Sequence, residues 1–167
     1  MVSKQMEQLI SDQYHKEVFS AHQYYAMCSY FLDRDLDGFA NFFNVQAEEE
    51  LDHAQRQFNF LHEVDGKVTL GAIEAPENEF TSILSVFEKA LGHEQYITKS
   101  IHAIVKAALE EGDFATYEFF QWFVREQVEE EASMRTLIAK LRMIEDDKSA
   151  LYLMNEELMQ RQAGEEE

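Results

Sequence analysis

The chain has one cysteine, one proline and six glycines in 167 residues. A single Cys28 excludes an internal disulfide and a Cys-x-x-Cys metal knuckle, and it fits a reducing compartment in which this thiol is a small core residue. With one proline, Pro76, and few glycines, little interrupts the long helical patterns. Basic residues are scarce: 14 Lys and Arg stand against 33 Asp and Glu, a net charge of -19. That balance argues against nucleic acid or an anionic membrane surface as a partner, because both demand basic patches. No apolar run approaches the ~20 residues that cross a bilayer. Met1-Val2-Ser3-Lys4-Gln5 lacks the pattern of a signal peptide, so a cytoplasmic location is expected.

What the chain does have is periodicity. Its apolar share of 46% is ordinary for a globular protein, and it falls into helical stripes. Four long helices are expected at about 3–33, 36–64, 81–110 and 114–144, with a short fifth at about 149–160 and a tail over 161–167. The 167 residues are read as one domain. Asp33-Arg34-Asp35 is a short break able to cap the second helix, and it implies an antiparallel pair. Gly66 suits the left-handed residue past the end of the second helix. The irregular stretch at roughly 67–80 can reach ~46 Å when extended, enough to run the length of a ~42 Å helix. It is therefore expected to cross over and set the third helix parallel to the second. Asp113 should cap the fourth helix and Asp146-Asp147-Lys148 the fifth. The closing Ala163-Gly164-Glu165-Glu166-Glu167 is expected to be disordered.

Each stripe carries a polar break. In the second helix, Phe39, Phe43, Gln46, Glu50, His53, Gln57, Phe60 and Val64 share a face, and Glu50-x-x-His53 puts a carboxylate and an imidazole one turn apart on it. The first stripe contains Gln13 and Glu17, with Tyr24 two turns on. The third is interrupted by Glu94, and the fourth by Gln127 and Glu130. Each break falls near its helix midpoint, ~20 Å from an end. In a bundle with matched ends the four breaks share one level. Bare carboxylates gathered there would be strongly unfavourable, and no Lys or Arg lies on these stripes nearby. Two divalent cations would balance Glu17, Glu50, Glu94 and Glu130, with His53 adding a neutral nitrogen. This donor set suits iron or manganese better than copper, with zinc also open.

Glu17, Tyr24, Glu50-x-x-His53, Glu94 and Glu126-Gln127-x-x-Glu130, in this order and spacing, resemble the bacterial and archaeal non-haem ferritins over nearly the whole chain. The resemblance implies an all-α, ferritin-like four-helix bundle with a long crossover between helices two and three and a short C-terminal helix. It implies a two-iron ferroxidase centre: Glu17, Glu50 and His53 on the first iron, Glu50 bridging, Glu94 and Glu130 on the second, Gln127 holding water or an oxygen species, and Tyr24 beside the centre as a hydrogen-bond donor and electron source. Glu49, Glu126 and Glu129 match a third iron site that shares Glu130. His15, His22, His62, His93 and His102 match no family ligand and are read as surface or packing residues.

Two departures from related families refine the expectation. Gln127-x-x-Glu130 replaces a second Glu-x-x-His-type element, so the second iron lacks a histidine, and the site fits passing iron onward. Asp52 stands where bacterioferritins place a haem-ligating methionine, so no haem is expected. The function implied is iron storage: Fe(II) is oxidised by oxygen or hydrogen peroxide and mineralised in a hollow homo-oligomer of 24 subunits. The fifth helix would then be an assembly element, with Leu151, Leu153, Met154 and Leu158 buried between subunits. A di-metal oxygenase or peroxidase with a fixed metal centre is the second reading, and a helical interaction module with incidental buried acids is the third.

Overall fold

A computed structural model describes residues 2–164. It contains α1 (Lys4–Leu32), α2 (Asp37–Glu63), α3 (Ile83–Glu111), α4 (Phe114–Ile144) and α5 (Lys148–Leu158), with no strand among the described residues. The four long helices form a bundle, and α5 packs across one end. No helix among these residues is long and apolar enough to cross a membrane.

The helix ends follow from local chemistry, though not everywhere as expected. Ser3 caps α1, Asp113 caps α4 and Asp147 caps α5, each through its side-chain oxygen. Ser82 and Ser85 form a reciprocal capping box at α3. No residue of Asp33-Arg34-Asp35 caps α2; its N-cap is Leu36, which has no side-chain bond to give. The cap comes instead from α5: Asn155 Oδ1 accepts from Gly38 N at 2.9 Å and Phe39 N at 3.3 Å. Asp35 has another task. Its φ of 55° makes it the left-handed residue ending α1, and Leu36 N bonds back to Phe31 O. At the end of α2 the left-handed residue is Asp65 (φ 60°), not Gly66. Gly66 instead lies close against side chains: a Cβ there would meet a Leu61 methyl at 2.6 Å, and that methyl would have to shift.

The crossover runs beside α1. Thr69 N donates to Ser11 Oγ, Gly71 N to His15 Nε2, and Glu77 and Gln23 exchange two bonds at 3.0 Å. Rising numbers on both sides of these contacts show that it travels parallel to α1. It thus returns the chain to the level where α2 began, and α3 runs parallel to α2. The expected topology follows from these bonds.

Two apolar clusters fill the bundle, one on each side of the midplane. In one, Phe31 stacks on Phe39 and Phe43, and Phe87 lies against all three. In the other, Met6, Ile10 and Leu61 join Phe120 and Phe123. A fully buried side chain of this size contributes roughly 1.5–3 kcal/mol, so the two clusters offset the polar layer between them. Met154 and Leu158 are buried in the chain's own core, against the expectation that α5 buries them between subunits. Leu153 and Tyr152 remain exposed. The tail is ordered at its start. Arg161 packs on α2, and Gly164 N bonds to Glu49. Glu165 to Glu167 lie outside the described residues.

Candidate metal centre

The four polar breaks meet in the layer between the two apolar clusters. Glu17, Tyr24, Glu50, His53, Glu94, Gln127 and Glu130 are all buried. Helical spacing puts each on the inward stripe of its helix, and the matched helix lengths put them on one level. One ligand atom from each of Glu17, Glu50 and His53 lies within 4.8 Å of the others, and this is the sole such cluster among the described residues. His53 Nδ1 stands 3.7 Å from Glu50 Oε2. Its ring is walled by Trp122 and Phe123, edge-on at 5.4 and 5.7 Å. Glu94 and Glu130 stand outside this three-residue set, yet both raise the proton affinity of Glu50 through their charge.

Neutral amides hold three of these carboxylates. Gln13 and Gln57 both donate to Glu17 Oε1, at 2.9 and 2.8 Å. Gln46 donates to Glu130 Oε2 at 2.8 Å. Gln127 donates to Glu94 Oε2 at 3.0 Å, and the Tyr24 hydroxyl donates to Glu94 Oε1. Glu50 is held by no such amide. Two buried carboxylate oxygens, Glu17 Oε2 and Glu50 Oε2, have no amide, hydroxyl or other donor to accept from, and a proton on Glu50 is shared with Glu17. An orphaned buried acceptor costs about 1–3 kcal/mol, and both lie in the cluster that a cation would fill. The residues present fit a metal.

Proton affinities carry the same sign. Burial, then the charges of Glu94, Glu17 and Glu130, push Glu50 well above the usual carboxylate range. Burial lifts Glu94 to about 7 against the opposing bonds from Tyr24 and Gln127. Burial and the Glu94 charge lift Glu130 to about 8. Tyr24 is also raised, by burial first and by Glu94 next. Without a cation, this layer favours neutral acids.

Glu49, Glu126 and Glu129 line a separate cavity of ≈ 450 Å³ on the α2–α4 side, which Glu130 reaches from the buried layer. They do not close on a common point. Glu49 turns to Arg161, with Nη2 to Oε2 at 2.9 Å. Asp52 pairs with Arg56 at 2.7 Å, and Arg56 covers the Trp122 ring. His93 packs against Phe19 and Tyr24 and shares a hydrogen bond with Ser20. His15 holds the crossover through Gly71.

Sequence reasoning placed Gln13, Gln46 and Gln57 on the inward stripes but assigned them no task. The signal was present: each amide lies on an inward stripe that carries a ligand-type carboxylate, four residues before Glu17 or Glu50 for Gln13 and Gln46. Arg161 was missed altogether. It lies beyond the last helix, and no periodicity links it to α2.

Comparison with known proteins agrees with this geometry. Residues 7–144 match the Ferritin-like domain family. The chain is 40% identical over 156 residues to a bacterial non-heme ferritin of Campylobacter jejuni, covering 93% of each. It is 40% identical over 166 residues to one of Staphylococcus aureus, covering 99% of this chain and 100% of the other. Among solved structures, an open pore ferritin from the hyperthermophilic archaeon Archaeoglobus fulgidus superposes with a TM-score of 0.95 at 46% identity, covering 97% of this chain and 100% of that one. The five-helix fold, the polar layer and these likenesses agree on one assignment: the chain belongs to the ferritin family, in its bacterial and archaeal non-haem branch.

Proposed function

We propose that the chain is an iron-storage subunit that oxidises Fe(II) at the buried layer and passes Fe(III) to a mineral held by the assembled protein. The observation that carries this is the uncompensated carboxylate layer, with its two orphaned oxygens on Glu17 and Glu50. The names of its relatives support storage as the setting.

Iron is the substrate. Glu17, Glu50 and His53 take the first Fe(II). Glu94 and Glu130 take the second, and Glu50, the carboxylate with no amide bond, bridges. The Gln13 and Gln57 amides hold one Glu17 oxygen and so direct the other to metal. Tyr24 and Gln127 orient Glu94. Two Fe(II) give two electrons to one oxygen molecule, which takes up two protons and leaves as hydrogen peroxide. With peroxide as oxidant, two Fe(II) and two protons yield two waters. Fe(III) then leaves past Glu130 towards Glu49, Glu126 and Glu129, a third iron site, and hydrolyses to mineral in a shell of 24 subunits in the cytoplasm. Haem has no part in this reading, since Asp52 stands where bacterioferritins place a haem-ligating methionine.

Aerobic titration of Fe(II) into iron-free protein tests the proposal. Uptake far above two irons per chain is expected. Saturation near two would favour a di-metal oxygenase or peroxidase, and no uptake would leave only a helical interaction module. His53→Ala and Glu130→Ala should each slow the fast oxidation phase at least about tenfold, which corresponds to 1.4 kcal/mol or more. An unchanged rate in stopped-flow absorbance would move the centre elsewhere.

A further inference from the structure

We propose that Arg161 is a built-in competitor for the outer cation site: the C-terminal arm occupies Glu49 and so sets how tightly a cation leaving the centre is held there. This rests on the reading of Glu49, Glu126 and Glu129 as a third iron site.

The arm is anchored and its guanidinium is inserted. Asn41 Nδ2 donates to the carbonyls of Leu158 and Arg161, both at 3.0 Å, fixing the backbone just past α5. From that anchor the Arg161 side chain reaches back over α2. Nη1 donates to the Phe42 carbonyl at 3.3 Å, and the guanidinium carbon lies 4.4 Å from the centre of the Phe42 ring. Nη2 donates to Gln46 and, at 2.9 Å, to Glu49 Oε2. Gly164 N donates to the other Glu49 oxygen at 3.2 Å. The arm thus engages both oxygens of one carboxylate, and the ion pair is largely shielded, with side-chain exposures of 14% and 19%. Shielded charge-assisted pairs of this kind are stronger than surface ones.

This placement has a direct electrostatic consequence. Arg161 lines the same cavity as Glu126, Glu129 and Glu130. A divalent cation bound to Glu49 would stand beside a fixed positive charge, so cation and guanidinium exclude each other. A cation therefore binds with full affinity only when the side chain swings off Glu49. Gln46 extends the effect inward. Its Oε1 accepts from Arg161, and its Nε2 donates to Glu130 Oε2. One amide thus connects the arm to a carboxylate of the buried layer, and release of Arg161 frees Gln46 to turn at Glu130.

Terbium(III), an oxygen-seeking cation, is a suitable probe in the iron-free protein, because the chain's one tryptophan, Trp122, lines the cavity and sensitises its emission. Trp122 also faces the inner centre through His53, so the emission lost on Glu49→Gln is what reports the outer site. Arg161→Gln, which removes the charge, should tighten that component about tenfold or more, within the ordinary range for coupled sites. Arg161→Lys, which keeps the charge, should stay within about twofold of the unaltered chain by the same coupling rule. Arg161→Gln at unaltered affinity, while Glu49→Gln still weakens binding, would overturn the competitor role and leave the outer site standing. A lysine variant as tight as the glutamine variant would overturn it too, since charge would then not be the cause. Emission indifferent to Glu49→Gln in either background would remove the outer site and the proposal together. An unchanged assembled mass and helical far-ultraviolet circular dichroism show that the variants are folded.

Discussion

At the scale of single residues, the metal-free protein stores unfavourable electrostatics. Glu94 and Glu130 bind protons more tightly in the fold, at about 7 and about 8, than the 4.5 of an ordinary glutamate. Their contribution to metal-free stability is therefore whole below about pH 4.5 and is lost as pH rises through about 7 to 8. Cations need the deprotonated forms, so affinity should rise over that window and binding should release protons. Calorimetric titration of Zn(II) into iron-free protein at pH 7, in two buffers of different ionisation heat, should show buffer-dependent heats. Identical heats at pH 7 would contradict this. The orphaned Glu50 Oε2 leads to a second expectation. Glu50→Gln keeps the shape and cannot ionise, so at alkaline pH, where the buried carboxyl would have to charge, the metal-free variant should gain about 1–3 kcal/mol. At about 2–4 °C per kcal/mol for this chain length, the melting temperature should rise by several degrees. The same variant should lose the further rise that Zn(II) brings to the unaltered protein. A metal-free variant that melts lower would show that Glu50 is compensated in a way its geometry does not reveal.

At the scale of elements, α5 and α2 are mutually dependent. Asn155 caps the first turn of α2, and Gly38 leaves room for it: a Cβ at Gly38 would lie 1.7 Å from the Asn155 carbonyl oxygen. Asn155→Ala should cost about 1 kcal/mol, the ordinary value of an N-cap, read as a lower thermal or denaturant midpoint. Gly38→Ala meets backbone and cannot be absorbed by a rotamer change. It should displace α5 and speed hydrogen exchange along Lys148–Leu158 well beyond what Asn155→Ala does. Equal protection of α5 in the two variants would refute this dependence.

At the scale of the whole molecule, the exposed apolar side chains need cover. Tyr152 and Leu153 on α5, Phe114 at the start of α4 and Met143 near its end are 62–86% exposed in the isolated chain. Contacts between subunits would bury them, as the proposed shell requires. Leu153→Glu should lower the assembled mass measured by light scattering while far-ultraviolet circular dichroism stays helical. Full-size assembly of that variant would place Leu153 outside the interfaces.

The residue pattern by itself determined the helix count, the crossover and the polar layer, because helical period and helix length are local properties. Four long stripes of matched length leave their midpoints one place to meet, so Glu17, Glu50, His53, Glu94 and Glu130 were legible in the pattern alone. The caps on α4 and α5 were legible for the same reason, since an N-cap acts within three residues. Tertiary structure alone decided what depends on distant partners. Asn155 replaces a local cap at α2. Asp65, and not Gly66, takes the left-handed position, while Gly66 lies against Leu61. Met154 and Leu158 enter the chain's own core. Gln13, Gln46 and Gln57 become holders of carboxylates only when neighbouring side chains close on them. Arg161 reaches Glu49 only because α5 folds back across the bundle end, and no pattern in the chain encodes that meeting.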